Sequence, residues 1–461
     1  MLQDIISSKQ ALFQDGVQTV LRGQESRSRR VVLLKGNLVQ NGRTETRGVS
    51  ARVNRSGMYG FASVAEYTPE AAERVLRAAA GNADFLGRHA EKKLVLPPSV
   101  GTGHLYCPGV IEDTEQKRII DFCRQVDDYI VAKYPDLTSR AVVYTEDSMD
   151  KIIYSSDAYS GHVVNPRAHM YIIMNSETKD GVPVEISESF GGYGSFADHF
   201  SNIETLYEGI EEVYKRLMDK KEGVYAEAGY KTVILGGMMG GMLAHEAVGH
   251  TVEADLVRGG SVAGPNLNKR VASDLVSLVD FAHTYEGKPV ALPVYLDDEG
   301  TKAEDAVLIR NGILVGYMND RESAAEYGMK PAGNARAWGF SDEPLIRMRN
   351  TCILPGKNTF EEMLSSIDDG YYLIQSGNGQ ADLTGEFMFG VTCGYEIKNG
   401  KLGRALLDTT VTGVAFDMLK TVDMVSGEVQ WSTSGTCGKK QAMAVSMGGP
   451  LMRCKIMIGG R

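Results

Sequence analysis

The sequence predicts an α+β protein built from two domains, and three observations support this. The chain has 461 residues, more than one ordinary domain contains. Its first half mixes helical and strand patterns without a regular strand–helix–strand alternation. Its second half is rich in glycine and in short strand patterns separated by turns, which is typical of a twisted antiparallel sheet. We therefore expect an N-terminal mixed α/β domain at residues 1–225 and a C-terminal domain with a large, mostly antiparallel sheet at residues 226–461.

Three helices are expected in the first half. Thr68 suits an N-cap and Pro69 the first helical position, so an alanine-rich helix should begin there. A second helix is predicted from about residue 114 to 134, because apolar side chains recur there every three or four residues. The same spacing runs from Ile203 to Leu217, and Gly223 should end this third helix and close the N-terminal domain.

Strands are expected around these helices and throughout the second half. The segment 140–188 is rich in Val, Ile and Tyr and should form antiparallel hairpins, with breaks at Asn165-Pro166 and Asp180-Gly181. Further along, Asn311-Gly312 and Asn399-Gly400 predict tight hairpin turns, because these residue types accept left-handed backbone angles.

Composition excludes several classes of partner. A net charge of −10 disfavours a nucleic-acid backbone as the main partner. No apolar run approaches the roughly 18 residues of a membrane-spanning helix, and residues 1–6 show neither the basic nor the apolar region of a secretory signal. The six cysteines are scattered without a CxxC pair, as is common for reduced thiols. We therefore expect a cytoplasmic protein with no membrane partner.

One motif carries chemistry, the sequence His245-Glu246-Ala247-Val248-Gly249-His250. In a His-Glu-x-x-His helix, two histidines four residues apart bind zinc on one face and the glutamate acts as a base. Here the second histidine comes one residue later, which would place the two imidazoles roughly 140° apart on a regular helix. We expect a bulge, a widened turn or the helix end to absorb the extra residue, with Gly249 tolerating the distortion.

Two histidines do not complete a catalytic zinc site, which needs three protein ligands and an open position. Two candidates for the third ligand are consistent with the residues. Glu253 lies three residues past His250, and Cys437 lies in the small-residue segment Ser434–Gly438, which is expected to form a tight turn. Spacing alone leaves both candidates open.

The chain resembles the TldD/PmbA metallopeptidases over nearly its whole length, and specifically the TldD branch. The resemblance is carried by several colinear motifs: Gly241 to His250, Asp297-Asp298-Glu299-Gly300-Thr301, Ile309 to Leu314, Arg347-Met348-Arg349-Asn350-Thr351, Gly385 to Gly390 and Gly435-Thr436-Cys437-Gly438-Lys439. The PmbA branch generally lacks the two-histidine motif, so its presence points to the active type of subunit.

The resemblance implies a function and a ligand set. It implies that His245, His250 and Cys437 bind Zn²⁺, that Glu246 is the general base, and that the C-terminal domain is the catalytic one and carries the metal-site helix. It also implies unfolded or short peptide substrates, as in leader-peptide processing or peptide degradation. The partners it implies are a second identical chain or a PmbA-like subunit.

Two alternatives remain. The chain could be a non-catalytic binding protein associated with gyrase or an antitoxin, or a thiol peptidase with Cys437 as nucleophile. The sequence also departs from the family pattern directly after Lys439, where the segment beginning at Lys440 is one residue shorter. We therefore expect the path of this loop to differ.

Overall fold

A computed structural model describes residues 12–55, 57–90 and 101–459 of the chain. Residues 1–6, on which the prediction of no secretory signal rests, lie outside the described residues. Within the described ranges, no helix is both long enough and apolar enough to cross a membrane.

The first half is organised around one seven-stranded sheet. Its strands are β1 (Gln18–Leu34), β2 (Asn37–Arg55), β3 (Met58–Val64), β4 (Gly103–Pro108), β5 (Ser139–Ser155), β6 (Tyr159–Glu177) and β7 (Pro183–Tyr193). They are ordered β3-β2-β1-β5-β6, and both β4 and β7 pair with β6. All pairs are antiparallel except β4 with β6.

The three predicted helices are confirmed. The helices of this half are α1 (Pro69–His89), α2 (Gln116–Lys133), α3 (Phe196–His199), a 3₁₀ turn (Ile203–Leu206) and α4 (Tyr207–Lys221). Thr68 caps α1, because its hydroxyl accepts a hydrogen bond from the backbone N–H of Ala71 at 3.1 Å. The third helix differs from the prediction at its start, where the 3₁₀ turn precedes the regular helix.

The predicted strand break at Asn165-Pro166 is wrong, because β6 runs through it. The reason is a change of neighbour on one side of the strand. Pairing with β4 ends at Val164, and pairing with β7 begins at Arg167. Pro166 lies between these two partners, where its missing N–H removes no ladder hydrogen bond on that side. The turn at Asp180-Gly181 is confirmed between β6 and β7.

The second half contains two large sheets instead of the single sheet that we expected. Its strands are β8 (Gly229–Leu235), β9 (Leu278–Phe281), β10 (Thr284–Tyr285), β11 (Lys288–Pro289), β12 (Ala306–Arg310), β13 (Ile313–Leu314), β14 (Ala335–Arg336), β15 (Leu345–Ile346), β16 (Asn350–Ile353), β17 (Asp369–Ala381), β18 (Glu386–Lys398), β19 (Lys401–Ala405), β20 (Thr409–Val414), β21 (Met424–Val425), β22 (Gln430–Lys439), β23 (Gln441–Gly449) and β24 (Met452–Ile458). One sheet has the order β13-β12-β9-β16-β23-β22, and the other has the order β17-β8-β24-β20-β18-β19 with β21 on β24. β17 also pairs with β18, which closes five strands of the second sheet into a ring.

The helices of this half are short. They are α5 (Gly237–Met242), a π-helix (Leu243–Gly249), a 3₁₀ turn (His250–Val252), α6 (Ala254–Arg258), a 3₁₀ turn (Gly264–Asn266), α7 (Arg321–Glu326), α8 (Phe360–Ser365) and α9 (Ala415–Lys420). The predicted hairpin turns are confirmed, since Asn311 and Gly312 join β12 to β13 with φ of 47° and 79°. The predicted α+β class with large antiparallel sheets is therefore confirmed.

The seven strands of the first sheet all precede residue 225, and the strands of the other sheets all follow it. The division into domains at 225 nevertheless stays a prediction. The two halves meet at a buried ion cluster around Asp298, which lies in a turn of the second half. The Asp298 carboxylate accepts hydrogen bonds from Arg22 on β1 at 3.0 Å and from Lys151 on β5 at 2.9 Å.

Candidate metal centre

The helix with the two histidines lies directly against backbone. A side chain at Gly237 would approach the Gly449 carbonyl oxygen to 2.5 Å, and one at Gly241 would approach the Gly448 nitrogen to 3.2 Å. Glycine at these positions therefore lets α5 pack against β23 without intervening side chains. The π-helix that continues α5 lies in the largest hydrophobic core of the second half, with Ala244, Ala247 and Val248 fully buried.

The π-helix solves the spacing problem of the two histidines. Its hydrogen bonds span five residues instead of four, and the N–H of His250 bonds to the carbonyl of His245. Residues five apart are therefore brought to nearly the same face. The two imidazole rings lie 5.3 Å apart between centroids and are inclined by 79°. The prediction that a widened turn absorbs the extra residue is confirmed.

The reason that we gave for Gly249 is wrong. Its φ of −53° is ordinary helical geometry that any residue adopts. Glycine is needed there for space instead, because an added Cβ would lie 2.2 Å from the sulfur of Met348 and 3.0 Å from the carbonyl oxygen of Ala244.

Cys437 approaches the two histidines from β22. Ser434–Gly438 is not a tight turn but part of β22, because Gly435 to Lys439 pair with β23 up to the hairpin at Lys440, after an irregularity between Ser432 and Gly435. The Cys437 sulfur lies 3.2 Å from Nε2 of His250. The ligand atoms of His245, His250 and Cys437 all lie within 4.8 Å of one another, and no other cluster of this kind occurs among the described residues.

Glu253 lies behind His250 and contacts the ring nitrogen that faces away from Cys437. Its Oε2 is 2.8 Å from Nδ1 of His250, and its side chain is fully buried. A carboxylate here accepts the Nδ1 proton and so leaves the Nε2 lone pair available to a metal. The structure thus places Glu253 as the partner of a ligand imidazole, whereas it places Cys437 beside both imidazoles.

The residues fit a zinc ion. No described residue lies within hydrogen-bond distance of either ring nitrogen of His245, which is only 1 % exposed. Burial lowers the pKa of His245 well below 6.5, so the ring is neutral and can donate a lone pair. Two imidazole nitrogens and one cysteine sulfur would give a zinc ion three protein ligands, which is the number that catalytic zinc sites use.

His250 reports the electrostatics of the cluster. Burial alone would lower its pKa, but the hydrogen bonds with Cys437 and Glu253 outweigh burial and raise the pKa to about 10. These two neighbours therefore favour a cation at Nε2 of His250, which is either a proton or a metal ion in its place.

Glu246 lies beside the cluster rather than within it. One of its carboxylate oxygens, Oε1, lies 3.8 Å from Nε2 of His245, and the other, Oε2, lies 3.7 Å from Nε2 of His250. The side chain is 23 % exposed, and burial raises its pKa above the ordinary value of 4.5. A water molecule in the open position would have this carboxylate within reach.

Two residues of the site were not recognised from the sequence. Arg347 is fully buried and donates hydrogen bonds to the backbone carbonyls of Cys437 at 2.9 Å and Gln441 at 2.7 Å, so it fixes the hairpin that carries the thiol. Lys439 contacts carboxylates on the segment after His250. Both belong to motifs that carried the resemblance, which was the only available signal.

The shortened segment after Lys439 forms the turn of the hairpin. Lys439 pairs with Gln441, and Lys440 between them has a φ of 61°. The Gln441 side chain accepts a hydrogen bond from the N–H of Trp338 at 2.7 Å and donates one to the carbonyl of Glu343 at 2.9 Å. The loop is therefore tight and tied to a neighbouring segment.

Both halves of the chain match known proteins. Residues 228–460 match the family model described as PmbA/TldA metallopeptidase C-terminal domain, and residues 20–83 match domain 1 of the same family. A zinc metalloprotease TldD homolog of Saccharolobus solfataricus is 30% identical over 352 residues, covering 76% of this chain and 77% of the relative. A metalloprotease of Methanocaldococcus jannaschii is 32% identical over 418 residues, covering 88% and 89%. The crystal structure of TldE from Thermococcus kodakarensis has a similar fold, with a TM-score of 0.77 at 17% identity over 100% of both chains.

Proposed function

Because the chain belongs to the TldD/PmbA metallopeptidase family, we propose that it is a zinc-dependent peptidase that hydrolyses unfolded or short peptides. The observation that supports this most directly is the buried cluster of His245, His250 and Cys437. A relative that is 30% identical is named a zinc metalloprotease, which agrees with this donor set.

A zinc ion bound by these three side chains would supply a Lewis acid that polarises the peptide carbonyl and acidifies the attacking water. Glu246 takes the proton of that water at a carboxylate oxygen and then delivers it to the leaving amine nitrogen. The raised pKa of Glu246 suits both steps, because a base works best when its pKa is nearer the working pH. Glu253 fixes the orientation of His250 throughout.

We propose peptides as the substrates because the matched family is one of metallopeptidases. A cavity of about 400 Å³ lies between the first sheet and β22, but Ser434 and Thr436, which line it, point to the face of β22 opposite to that of Cys437. This cavity is therefore not part of the metal centre. Processing of leader peptides and degradation of short peptides are the two uses that we propose.

We further propose a dimer, either of two identical chains or with a PmbA-like subunit. An exposed apolar row supports this, since Met388 and Met457 each pair with Thr412 from opposite sides and are each 44% exposed. Exposed apolar side chains that lie close to one another are candidates for a protein contact. The six unpaired cysteines are consistent with the proposed location in the cytoplasm.

A thiol peptidase is the second candidate, because one contact favours it. The distance of 3.2 Å between the Cys437 sulfur and His250 is also that of a cysteine nucleophile and its base. Against this, a thiol mechanism leaves the buried nitrogens of His245 without a role.

Metal content and chelation separate these candidates. We expect about one zinc per chain in protein purified without an affinity tag, and loss of peptide cleavage on chelation that zinc restores. Cys437→Ser should lose zinc, whereas Cys454→Ser, which changes another buried cysteine, should keep it. Cleavage that survives chelation would favour the thiol mechanism. Stoichiometric zinc without cleavage of any peptide in an unbiased library would favour a binding protein.

A further inference from the structure

Lys439 makes a contact that the mechanism above does not use. Its ammonium is 2.9 Å and 3.0 Å from the two carboxylate oxygens of Asp255. It also lies 3.3 Å from Oε1 of Glu253. The side chain of Lys439 is 12% exposed and that of Glu253 is fully buried, so the contact with Glu253 is shielded from water.

This ammonium connects the two segments that carry the metal ligands. Lys439 is two residues past Cys437 on β22, and side chains two apart in a strand point to the same face. Glu253 and Asp255 follow His250 at the start of α6. Cys437 and Lys439 are therefore two side chains of β22 that contact the segment beginning at His250.

The contact also completes a chain of partners that ends at the ligand imidazole. Glu253 Oε2 contacts Nδ1 of His250, whereas its Oε1 has no hydrogen-bond partner among the described residues and lies 3.3 Å from the Lys439 ammonium as an ion pair. In the described part of the chain, the His250 imidazole and the Lys439 ammonium are the groups that form ion pairs with Glu253. A fully buried carboxylate needs such compensation, because an uncompensated buried charge is strongly unfavourable.

We propose that Lys439 is a positioning residue, which sets the Cys437 thiol and the His250 imidazole at the separation that zinc requires. This inference rests on the proposed zinc site. Lys439 acts through Glu253, whose buried charge it compensates, and through Asp255, to which it ties the end of the hairpin by hydrogen bonds. It touches neither the metal nor the substrate. Residues that orient ligands in this way commonly contribute about 10- to 100-fold to metal affinity.

The test compares metal binding in Lys439→Met with that in the wild-type protein. Zinc affinity is measured by competition with a chromophoric chelator, and cobalt substitution reports the geometry through the thiolate-to-cobalt charge-transfer band. We expect Lys439→Met to bind zinc at least about tenfold more weakly and to shift or weaken that band. Far-ultraviolet circular dichroism should remain that of the wild type.

Lys231→Met is the matched control, because Lys231 on β8 is also a half-buried lysine between two carboxylates, those of Glu227 and Asp369. It should leave zinc affinity and the cobalt spectrum unchanged. If Lys439→Met does not fold, Asp255→Asn removes the carboxylate that makes the shorter of the two contacts with Lys439 and should lower zinc affinity about tenfold, the low end for a residue that orients a ligand.

The outcomes separate this inference from the proposed function. Wild-type affinity and an unchanged cobalt spectrum in Lys439→Met would overturn the role of Lys439 and leave the zinc site intact. For Asp255→Asn, unchanged affinity would do the same. A wild-type protein that binds no zinc would instead contradict the proposed function itself.

Discussion

At the scale of single residues, one proposed ligand of the site lacks hydrogen-bond partners, whereas a neighbouring residue has several. His245 has no hydrogen-bond partner among the described residues, whereas Arg347 donates to two carbonyls of the thiol-bearing hairpin. This contrast is what a site prepared for a cation requires. Its ligand atoms stay available, and the backbone that carries them is fixed before the cation binds.

Glu246 provides the sharpest test at this scale. Glu246→Gln keeps the size of the side chain but cannot accept a proton, so turnover should fall by about 10²- to 10⁴-fold. Because Glu246 lies outside the ligand cluster, zinc content should stay at the wild-type level. Steady-state kinetics and elemental analysis of the same preparations measure both quantities. Near-wild-type turnover would show that another group is the base.

The sequence predicted the two histidines and the base from spacing, but it left the third ligand open between Glu253 and Cys437. Only the family resemblance pointed to Cys437. The contacts that distinguish the two candidates join residues 187 positions apart, as between His250 and Cys437. Local patterns carry no information about such contacts, and for the same reason the roles of Lys439 and Arg347 were not predicted.

At the scale of elements, two of the corrections have a common cause. Pro166 was taken as a strand break and Ser434–Gly438 as a turn, because proline and small residues usually interrupt strands. In each case the neighbouring strands decide the outcome. Pro166 lies where β6 changes partner, and β23 pairs with β22 through the small-residue segment. Helices with strong spacing and asparagine–glycine turns were predicted correctly, because their determinants are local.

The packing of the π-helix leads to a prediction at Gly249. Gly249→Ala brings a methyl group against Met348, so the free energy of unfolding should fall by about 1–3 kcal/mol. Gly81→Ala on α1 is the control, because nothing lies within 4 Å of a Cβ added there. It should instead stabilise the helix by about 0.5–1 kcal/mol. Denaturant titrations of both variants measure the two changes, and equal effects would contradict the packing argument.

At the scale of the whole molecule, the cluster at Asp298 joins the two halves. Asp298→Asn keeps the shape but leaves the buried cations of Arg22 and Lys151 without their carboxylate. We expect a loss of about 3–5 kcal/mol in the free energy of unfolding. Lys330→Met removes an exposed ion pair with Glu304 and should cost less than about 1 kcal/mol. A small effect of Asp298→Asn would mean that water reaches the cluster.

The contact between the first sheet and β22 should make stability depend on pH. His169 on β6 lies 3.3 Å from the Thr433 hydroxyl, and burial lowers its pKa to about 4. Between pH 6.5 and 4 the unfolded chain binds a proton at this residue that the folded chain does not bind. The free energy of unfolding therefore decreases as the pH falls through this window.

The expected loss from His169 between pH 7 and pH 5 is about 2 kcal/mol. His169→Gln cannot titrate, so its free energy of unfolding should fall by correspondingly less over the same interval. The comparison of the two proteins cancels the contributions of other titrating groups. Equal pH dependence in the two proteins would show that His169 is not the group responsible.

The distance along the chain between His250 and Cys437 also has a consequence for synthesis. At roughly 5–20 residues per second, a ribosome adds the 187 residues that separate them in about 10–40 s. During this interval the growing chain has two of the three proposed ligands, fewer than a catalytic zinc centre needs. The proposed activity should therefore begin only after Cys437 has been added. We expect ribosome complexes stalled before Cys437 to show no cleavage of added peptide, which a direct assay of such complexes would check.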